Sequence, residues 1–351
     1  MNRELTIENI TINDESDCFV IAEVGHNHMG SLETCKELFR VAKECGVDAV
    51  KLQKRNNKEL YTAALYNQIY DNPNSYGETY GLHREALEFG LEEYTALKAL
   101  AKDLGLIFFS TAFDRPSADF LAGIDMPLYK MASGDLCNTP LLRHVAKFGK
   151  PMILSTGGGT IDDIRRAVDT VAPINKQLSI LQCTAAYPCE YDELNLRVIT
   201  TLRQEFPELV IGLSDHERGI SMSLAAYVLG ARVVEKHFTL ARTNRGTDHA
   251  FSLEPLGLKR TVRDLRRLRV ALGDGIKRSY PAEAKPLLKM AKSLYASRDM
   301  RTGTVLTEAD IALKCPSGGG FPPYMLDQVV GRTLQSDLSV DTMILSEHLA
   351  G

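Results

Sequence analysis

The chain has 351 residues, 44% hydrophobic and 25% charged, which suits a folded protein with one large domain and a smaller one, or two medium ones. Lys and Arg number 41 against 45 Asp and Glu, a net charge of −4, so no basic excess points to a nucleic-acid partner. The N-terminal text MNRELTIENITINDESD lacks the apolar run of a secretory signal, and no segment is long and apolar enough to span a bilayer, so a cytoplasmic protein is expected. Seven Cys with no CxxC pair indicate neither a zinc knuckle nor a disulfide framework.

In chain order, short apolar runs fall at residues 18–24, 48–52, 106–110, 128–132, 151–155, 178–183, 209–213 and 232–238. Near-continuous apolar runs of this length are what parallel strands buried on both faces require. Amphipathic segments at 32–45, 92–104, 161–171 and 219–229 read as helices between them. Eight strands alternating with helices over about 250 residues predict a (β/α)8 TIM barrel, with a doubly wound open sheet as the rival. Residues 56–90, rich in Tyr, Asn and Gly, read as a long loop over the barrel mouth after the second strand. The expected division is a barrel at 1–275, a linker at 276–291 and a small β-rich domain at 292–351.

In such a barrel, chemistry sits where the strands end at their C-terminal side. The groups there are Glu23, His26, Asn27 and His28 after strand 1, then Lys51 and Gln53, then Ser110, Thr111, Asp114 and Arg115. Lys130, Ser133 and Asp135 follow strand 4, and Ser155, Thr156 and Gly157–Gly159 follow strand 5. Gln182, Thr184 and Tyr187 follow strand 6, Ser214, Asp215 and His216 follow strand 7, and Glu235 and His237 end strand 8. Lys51 and Lys130 lie inside apolar strands, where an ammonium needs an anionic partner. Either Glu23 and Glu235 serve purely as that partner, or the lysines and the hydroxyls of Thr111, Ser133, Ser155 and Ser214 bind a phosphate or carboxylate. His216 and His237 end neighbouring strands, a pairing that suits a divalent ion or a pair of hydrogen-bonded core histidines. His26 and His28 read as loop hydrogen-bonding groups or as a second metal pair, His83 and His249 as substrate contacts or loop residues, and His144 and His348 as structural. The triple glycine matches no nucleotide-binding motif.

The runs IAEVGHNHMGS (21–31), DAVKLQ (48–53), KMASGD (130–135), ILSTGGG (153–159), LQCTAAYP (181–188), GLSDHERG (212–219), EKHFTL (235–240) and GTDHAFSLEP (246–255) resemble the sialic acid (N-acetylneuraminate) synthases, in order and spacing, along nearly the whole chain. Residues 292–351 resemble the antifreeze-like (SAF, β-clip) domain that ends those enzymes, and residues 75–89 resemble their N-acetylneuraminate branch, including the animal enzyme. The resemblance implies a TIM barrel followed by an SAF domain, in a domain-swapped homodimer where one protomer's tail caps the other's barrel. It implies that phosphoenolpyruvate is condensed with N-acetylmannosamine, or its 6-phosphate, to give N-acetylneuraminate, or its 9-phosphate, and phosphate. The alternative is a legionaminic or pseudaminic acid synthase that takes a diacetamido hexose.

By the same resemblance, Glu23, Lys51, Lys130, His216 and His237 carry the chemistry, and His216 and His237 hold Mn2+ or another divalent ion. Lys51, Thr111, Lys130, Ser133, Ser155 and Ser214 hold phosphoenolpyruvate. Glu23, Gln53, Asp135, Tyr187 and Asp248 face the amino sugar, with Thr184 among the substrate-binding groups at the end of strand 6. Two positions depart from the bacterial pattern. Ala185 stands where bacterial relatives often carry Asn, and Lys314-Cys315-Pro316 stands where many bacterial tails carry an Arg that reads the N-acyl group. Arg298 and Lys314 are the candidate replacements for that Arg.

Overall fold

Each apolar run alternates inward and outward side chains, and the structure, a computed structural model that describes residues 3–350, shows which parity faces the axis. The strands are β1 (Phe19–Gly25), β2 (Ala49–Lys54), β3 (Ile107–Ala112), β4 (Tyr129–Met131), β5 (Met152–Ser155), β6 (Leu178–Cys183), β7 (Val210–Asp215) and β8 (Val233–His237). They form a closed barrel in that order, and β8 pairs in parallel with both β7 and β1. The eight connecting helices are α1 (Leu32–Cys45), α2 (Leu91–Leu104), α3 (Arg115–Gly123), α4 (Thr139–Ala146), α5 (Ile161–Val171), α6 (Val198–Glu205), α7 (Ser221–Val228) and α8 (Pro255–Leu272).

Local chemistry sets these boundaries. Ser31 caps α1 by accepting the Thr34 amide, and Gly46 ends it at φ 86, a left-handed conformation that favours glycine. Asp114 caps α3 through Ser117 N at 2.7 Å, and its other oxygen accepts Asn56 N at 2.7 Å. That carboxylate, a candidate site group by its position, thus holds two loop backbones.

The barrel interior is divided by height. Phe19, Ile21, Ala49, Ile107, Phe109, Leu128, Ile153, Leu181, Val210 and Val233 fill the N-terminal half as one apolar cluster. Two residues further along the same inward rows stand Glu23, Lys51, Thr111, Lys130, Ser155 and Glu235, all buried. The floor is a feature the sequence reading missed. An antiparallel hairpin, Glu4–Ile7 with Ile10–Asn13, inserts Leu5, Ile7 and Ile12 into the lower cluster. Leu5 is fully buried, so Leu5→Ala is expected to cost about 2–5 kcal/mol, seen as a lower urea midpoint with an unchanged m-value. An unshifted midpoint would show that the floor contributes nothing.

Residues 56–90, read as a loop, in fact carry three short helices, Asn57–Leu60, Ala63–Tyr66 and Tyr80–Glu85. The described residues form two compact units, the first ending at Gly273 and the second beginning at Asp274. In the second unit, Ala284–Met290 is helical within the stretch read as a linker, and Ser293–Ala296 pairs with Ile311–Lys314. Its core is Leu294, Ala296, Met300, Leu306, Val329, Leu334, Leu338, Ile344 and Leu349. Among the described residues, no helix is long and apolar enough to cross a membrane.

Candidate active site

The upper half of the barrel holds a four-membered ion cluster. Lys51 Nζ lies 2.7 Å from Glu23 Oε2 and 3.5 Å from Glu235 Oε1, and Lys130 Nζ lies 3.9 Å from the same Glu235 oxygen. Lys51 donates to Thr111 Oγ1 at 2.8 Å and Lys130 to Ser155 Oγ at 2.6 Å. The lysines therefore pair with the two glutamates, and each also donates to a neighbouring hydroxyl.

The charges tune one another. Burial opposes the Lys51 ammonium, but Glu23 and Glu235 outweigh it and raise its pKa. Burial lowers that of Lys130, with Glu235 opposing. Burial also raises the Glu235 carboxyl, yet Lys130 and Lys51 prevail and hold it below the usual range. Glu23 goes the other way: burial, against Lys51 and reinforced by Glu235, pushes it up to about 7. A carboxyl there can exchange a proton near neutral pH.

Gln53 joins this cluster through Nε2, which donates to Glu23 Oε1 at 2.6 Å. Gly25 makes the contact possible: at φ +52, a Cβ there would sit 3.1 Å from Glu23 Oε1 and 3.2 Å from Gln53 Nε2. Ser133 accepts Gly157 N at 3.0 Å and donates to Cys183 Sγ at 3.4 Å, and Cys183 is in register with Ser214 on β7. Asp135, at a one-turn helix after β4, is held by Asn138 Nδ2 at 2.9 Å.

The two histidines come together as expected, ring centroids 5.4 Å apart. Burial and His237 lower His216 to about 4, and burial lowers His237, so both rings are neutral. His216 Nδ1–H donates to the Thr184 carbonyl at 2.8 Å, which leaves Nε2 with a free lone pair. His237 Nδ1 is buried without a hydrogen-bond partner and lies 3.6 Å from Asp248 Oδ2. Two neutral imidazoles with an orphaned nitrogen fit a divalent ion. Among the described residues no group of three or more His, Cys, Asp and Glu is placed to hold one, so water and substrate oxygens would complete the shell. Tyr187, half exposed, lies over His216 at 4.2 Å between centroids. Thr184 takes part through its carbonyl, because its hydroxyl donates to the Glu193 carbonyl at 2.9 Å.

Other candidates meet protein groups nearby. Ser110 faces outward to the Tyr94 hydroxyl at 3.0 Å, and Gln182 donates to the Leu194 carbonyl at 3.1 Å. Asp215 pairs outside the barrel with buried Lys236 at 3.1 Å. His249 bonds to Thr239 Oγ1 at 2.7 Å, and His83 accepts Tyr76 N at 3.0 Å. In the second unit, Arg298 pairs with Asp310 at 2.6 Å and Lys314 contacts Asp341.

His26 and His28 do not form a metal pair. His26 lies between two guanidiniums, with Arg55 Nη1 3.2 Å from Nε2 and Arg84 Nη1 3.2 Å from Nδ1. Sequence reasoning missed both arginines. His28 stacks on Phe89 at 4.1 Å and its Nδ1 accepts Gly30 N at 3.1 Å. Burial lowers His28 to about 3. A histidine with a depressed native pKa gives stability that is full above its unfolded value and is lost as pH falls. Stability is therefore expected to decline from about pH 6.5 toward pH 3, at up to about 1.4 kcal/mol per pH unit for this one group. Urea titrations of wild type and His28→Gln should differ by that slope, and equal slopes would refute it.

The NeuB family matches residues 38–277, and the SAF domain matches residues 291–350. The chain belongs to the NeuB family. A relative from Homo sapiens, N-acetylneuraminate-9-phosphate synthase, is 37% identical over 96% of this chain and 94% of its own. N,N'-diacetyllegionaminic acid synthase from Legionella pneumophila is also 37% identical, over 95% of this chain and 94% of its own. Among solved NeuB-like structures, the N-acetylneuraminic acid synthetase of Leptospira borgpetersenii superposes with a TM-score of 0.71 at 33% identity, covering 82% of this chain and 95% of that one. The fold expected from the strand rhythm, a parallel eight-stranded barrel with an SAF domain, is thus the observed one.

Proposed function

We propose that this chain condenses phosphoenolpyruvate with the open-chain aldehyde of an N-acylated amino sugar, giving a nonulosonic acid and phosphate. The observation that carries the reading is the buried cluster of Lys51, Lys130, Glu23 and Glu235, ringed by Thr111 and Ser155 and open toward the paired histidines. The human and Legionella relatives, an N-acetylneuraminate-9-phosphate synthase and an N,N'-diacetyllegionaminic acid synthase, support it.

Lys51 and Lys130 bind the phosphate and carboxylate of phosphoenolpyruvate, whose combined charge would otherwise repel the electron-rich reacting centre. The hydroxyls of Thr111, Ser133, Ser155 and Ser214 orient the same groups. Held so, C3 of phosphoenolpyruvate attacks the aldehyde carbon, a C–C bond forms, and positive charge develops at C2. Glu23 and Glu235 face that charge. Water adds to C2, its proton passes to a carboxylate, and the C2–O bond to phosphate breaks. Glu23, with its carboxyl near 7, is the group placed to take and return that proton. His216 and His237 would hold a divalent ion such as Mn2+, which supplies Lewis-acid polarisation of the aldehyde. Gln53, Tyr187 and Asp248 orient the sugar, and a domain-swapped homodimer is part of the same reading.

The test is phosphate release from phosphoenolpyruvate by metal-stripped protein with Mn2+ restored. Acceptors are N-acetylmannosamine, its 6-phosphate, and the diacetamido hexoses that precede legionaminic and pseudaminic acids. Release is expected only with both metal and one amino sugar. Folded protein that releases none with any acceptor would rule the reading out. A mass in solution of one chain rather than two would rule out the dimer.

A further inference from the structure

The ion cluster is not the only place where positive charge is buried at the barrel mouth. Arg55 is 8% exposed at the end of β2 and stacks on Phe113, its guanidinium carbon 3.7 Å from the ring centre. Arg84 reaches in from the short helix Tyr80–Glu85, with Nε and Nη2 on the Tyr80 hydroxyl at 3.2 and 3.0 Å. Among the described residues, no carboxylate lies within ion-pair distance of either guanidinium, although 25 other ion pairs are formed. Glu88 Oε2 meets Lys54 at 3.0 Å and accepts the Arg55 backbone amide at 3.2 Å, while its buried Oε1 has no hydrogen-bond partner and lies 3.8 Å from His26 Nε2. Asp248 accepts Thr247 Oγ1 at 2.8 Å and faces His237.

His26 makes the excess of donors explicit. A guanidinium meets each of its ring nitrogens at 3.2 Å, but a neutral imidazole has one lone pair and one N–H. One arginine N–H therefore points at another N–H. Protonating the ring would make this worse. Two guanidiniums with no carboxylate at ion-pair distance are completed by an acceptor-rich anion.

The cluster is also continuous with the site. Arg55 Nη2 donates to Gln53 Oε1 at 2.7 Å, and Gln53 Nε2 donates to Glu23 Oε1 at 2.6 Å. A strip of hydrogen bonds thus runs from the Lys51–Glu23 pair to the two arginines at the rim. The strip joins two cationic groups, the deep lysines and the rim arginines. A substrate lying along the strip has its reacting end at the lysines and its far end at the rim.

We propose that Arg55 and Arg84, with neutral His26 between them, form a phosphate subsite for an acceptor sugar that carries a phosphomonoester on the carbon farthest from its aldehyde. This rests on the condensation reading above and narrows its acceptor to the phosphorylated sugars.

Binding tests the subsite apart from turnover. Calorimetry on metal-stripped protein with saturating phosphoenolpyruvate, which occupies the deep lysines, compares N-acetylmannosamine 6-phosphate, N-acetylmannosamine and inorganic phosphate. The phosphorylated sugar is expected to bind at least about 30-fold more tightly than the free sugar, as two charge-assisted contacts imply. Arg84→Gln, at a partly buried position, should weaken the phosphorylated sugar by at least about tenfold and the free sugar by far less, with Arg84→Lys between. Arg55→Gln should act the same way if its circular dichroism shows it folded. Equal wild-type affinity for the two sugars would overturn the subsite. So would equal losses for both sugars in Arg84→Gln, or inorganic phosphate binding as tightly as the sugar phosphate. Failure of the condensation reading is a different result: phosphoenolpyruvate is not consumed with any sugar, whatever binds at the rim.

Discussion

Lys51→Met is expected to lower phosphate release from phosphoenolpyruvate by more than about 10³-fold, because over 4 kcal/mol of charge stabilisation leaves the reacting centre. It is also expected to destabilise the barrel by about 3–5 kcal/mol, the cost of leaving buried partners unpaired. Glu23 and Glu235 would then share Lys130 alone, and Glu23 would take up a proton. The two effects separate in a second variant. Lys51→Met with Glu23→Gln removes one charge of each sign and should recover most of the stability, measured by urea unfolding, while turnover stays lost. If Lys51→Met folds and turns over at near the wild-type rate, the lysines serve only the fold.

The next largest effect is expected at the histidines. His216→Ala and His237→Ala should each weaken Mn2+ binding by at least about 10²-fold, since changes one shell further out already cost 10–100-fold. The free-ion signal in electron paramagnetic resonance measures this without turnover. Activity should fall in parallel and recover partly at high Mn2+. Wild-type Mn2+ affinity in both variants would mean that the imidazoles hold each other, not a metal.

Most of the barrel was legible because its strands are dry on both faces and so read as apolar runs. All eight were placed to within two residues. Strand ends alone did not separate groups that face the axis from groups that face the helices. Parity does: Phe19, Ile21 and Glu23 share a row, as do Ile107, Phe109 and Thr111, while Ser110 and Gln182 fall on outward rows. The hairpin at the barrel floor escaped notice because only Leu5, Ile7 and Ile12 of its residues are core. Arg55 and Arg84 escaped because they lie past a strand end and in an insertion, where no period fixes a side chain's direction. The direction of the Thr184 hydroxyl is likewise set by a tertiary partner, the Glu193 carbonyl.

The closure of the barrel has a consequence for synthesis on the ribosome. One edge of β1 pairs with β8, and Glu23 is in register with His237. That edge emerges early and waits while roughly 200 further residues are made, some 10–40 s at 5–20 residues per second. Throughout, a strand as apolar as Phe19–Val24 shows an unpaired backbone edge, a ready template for another chain. The nascent chain is therefore most exposed to aggregation during this interval, and slower translation would lengthen it.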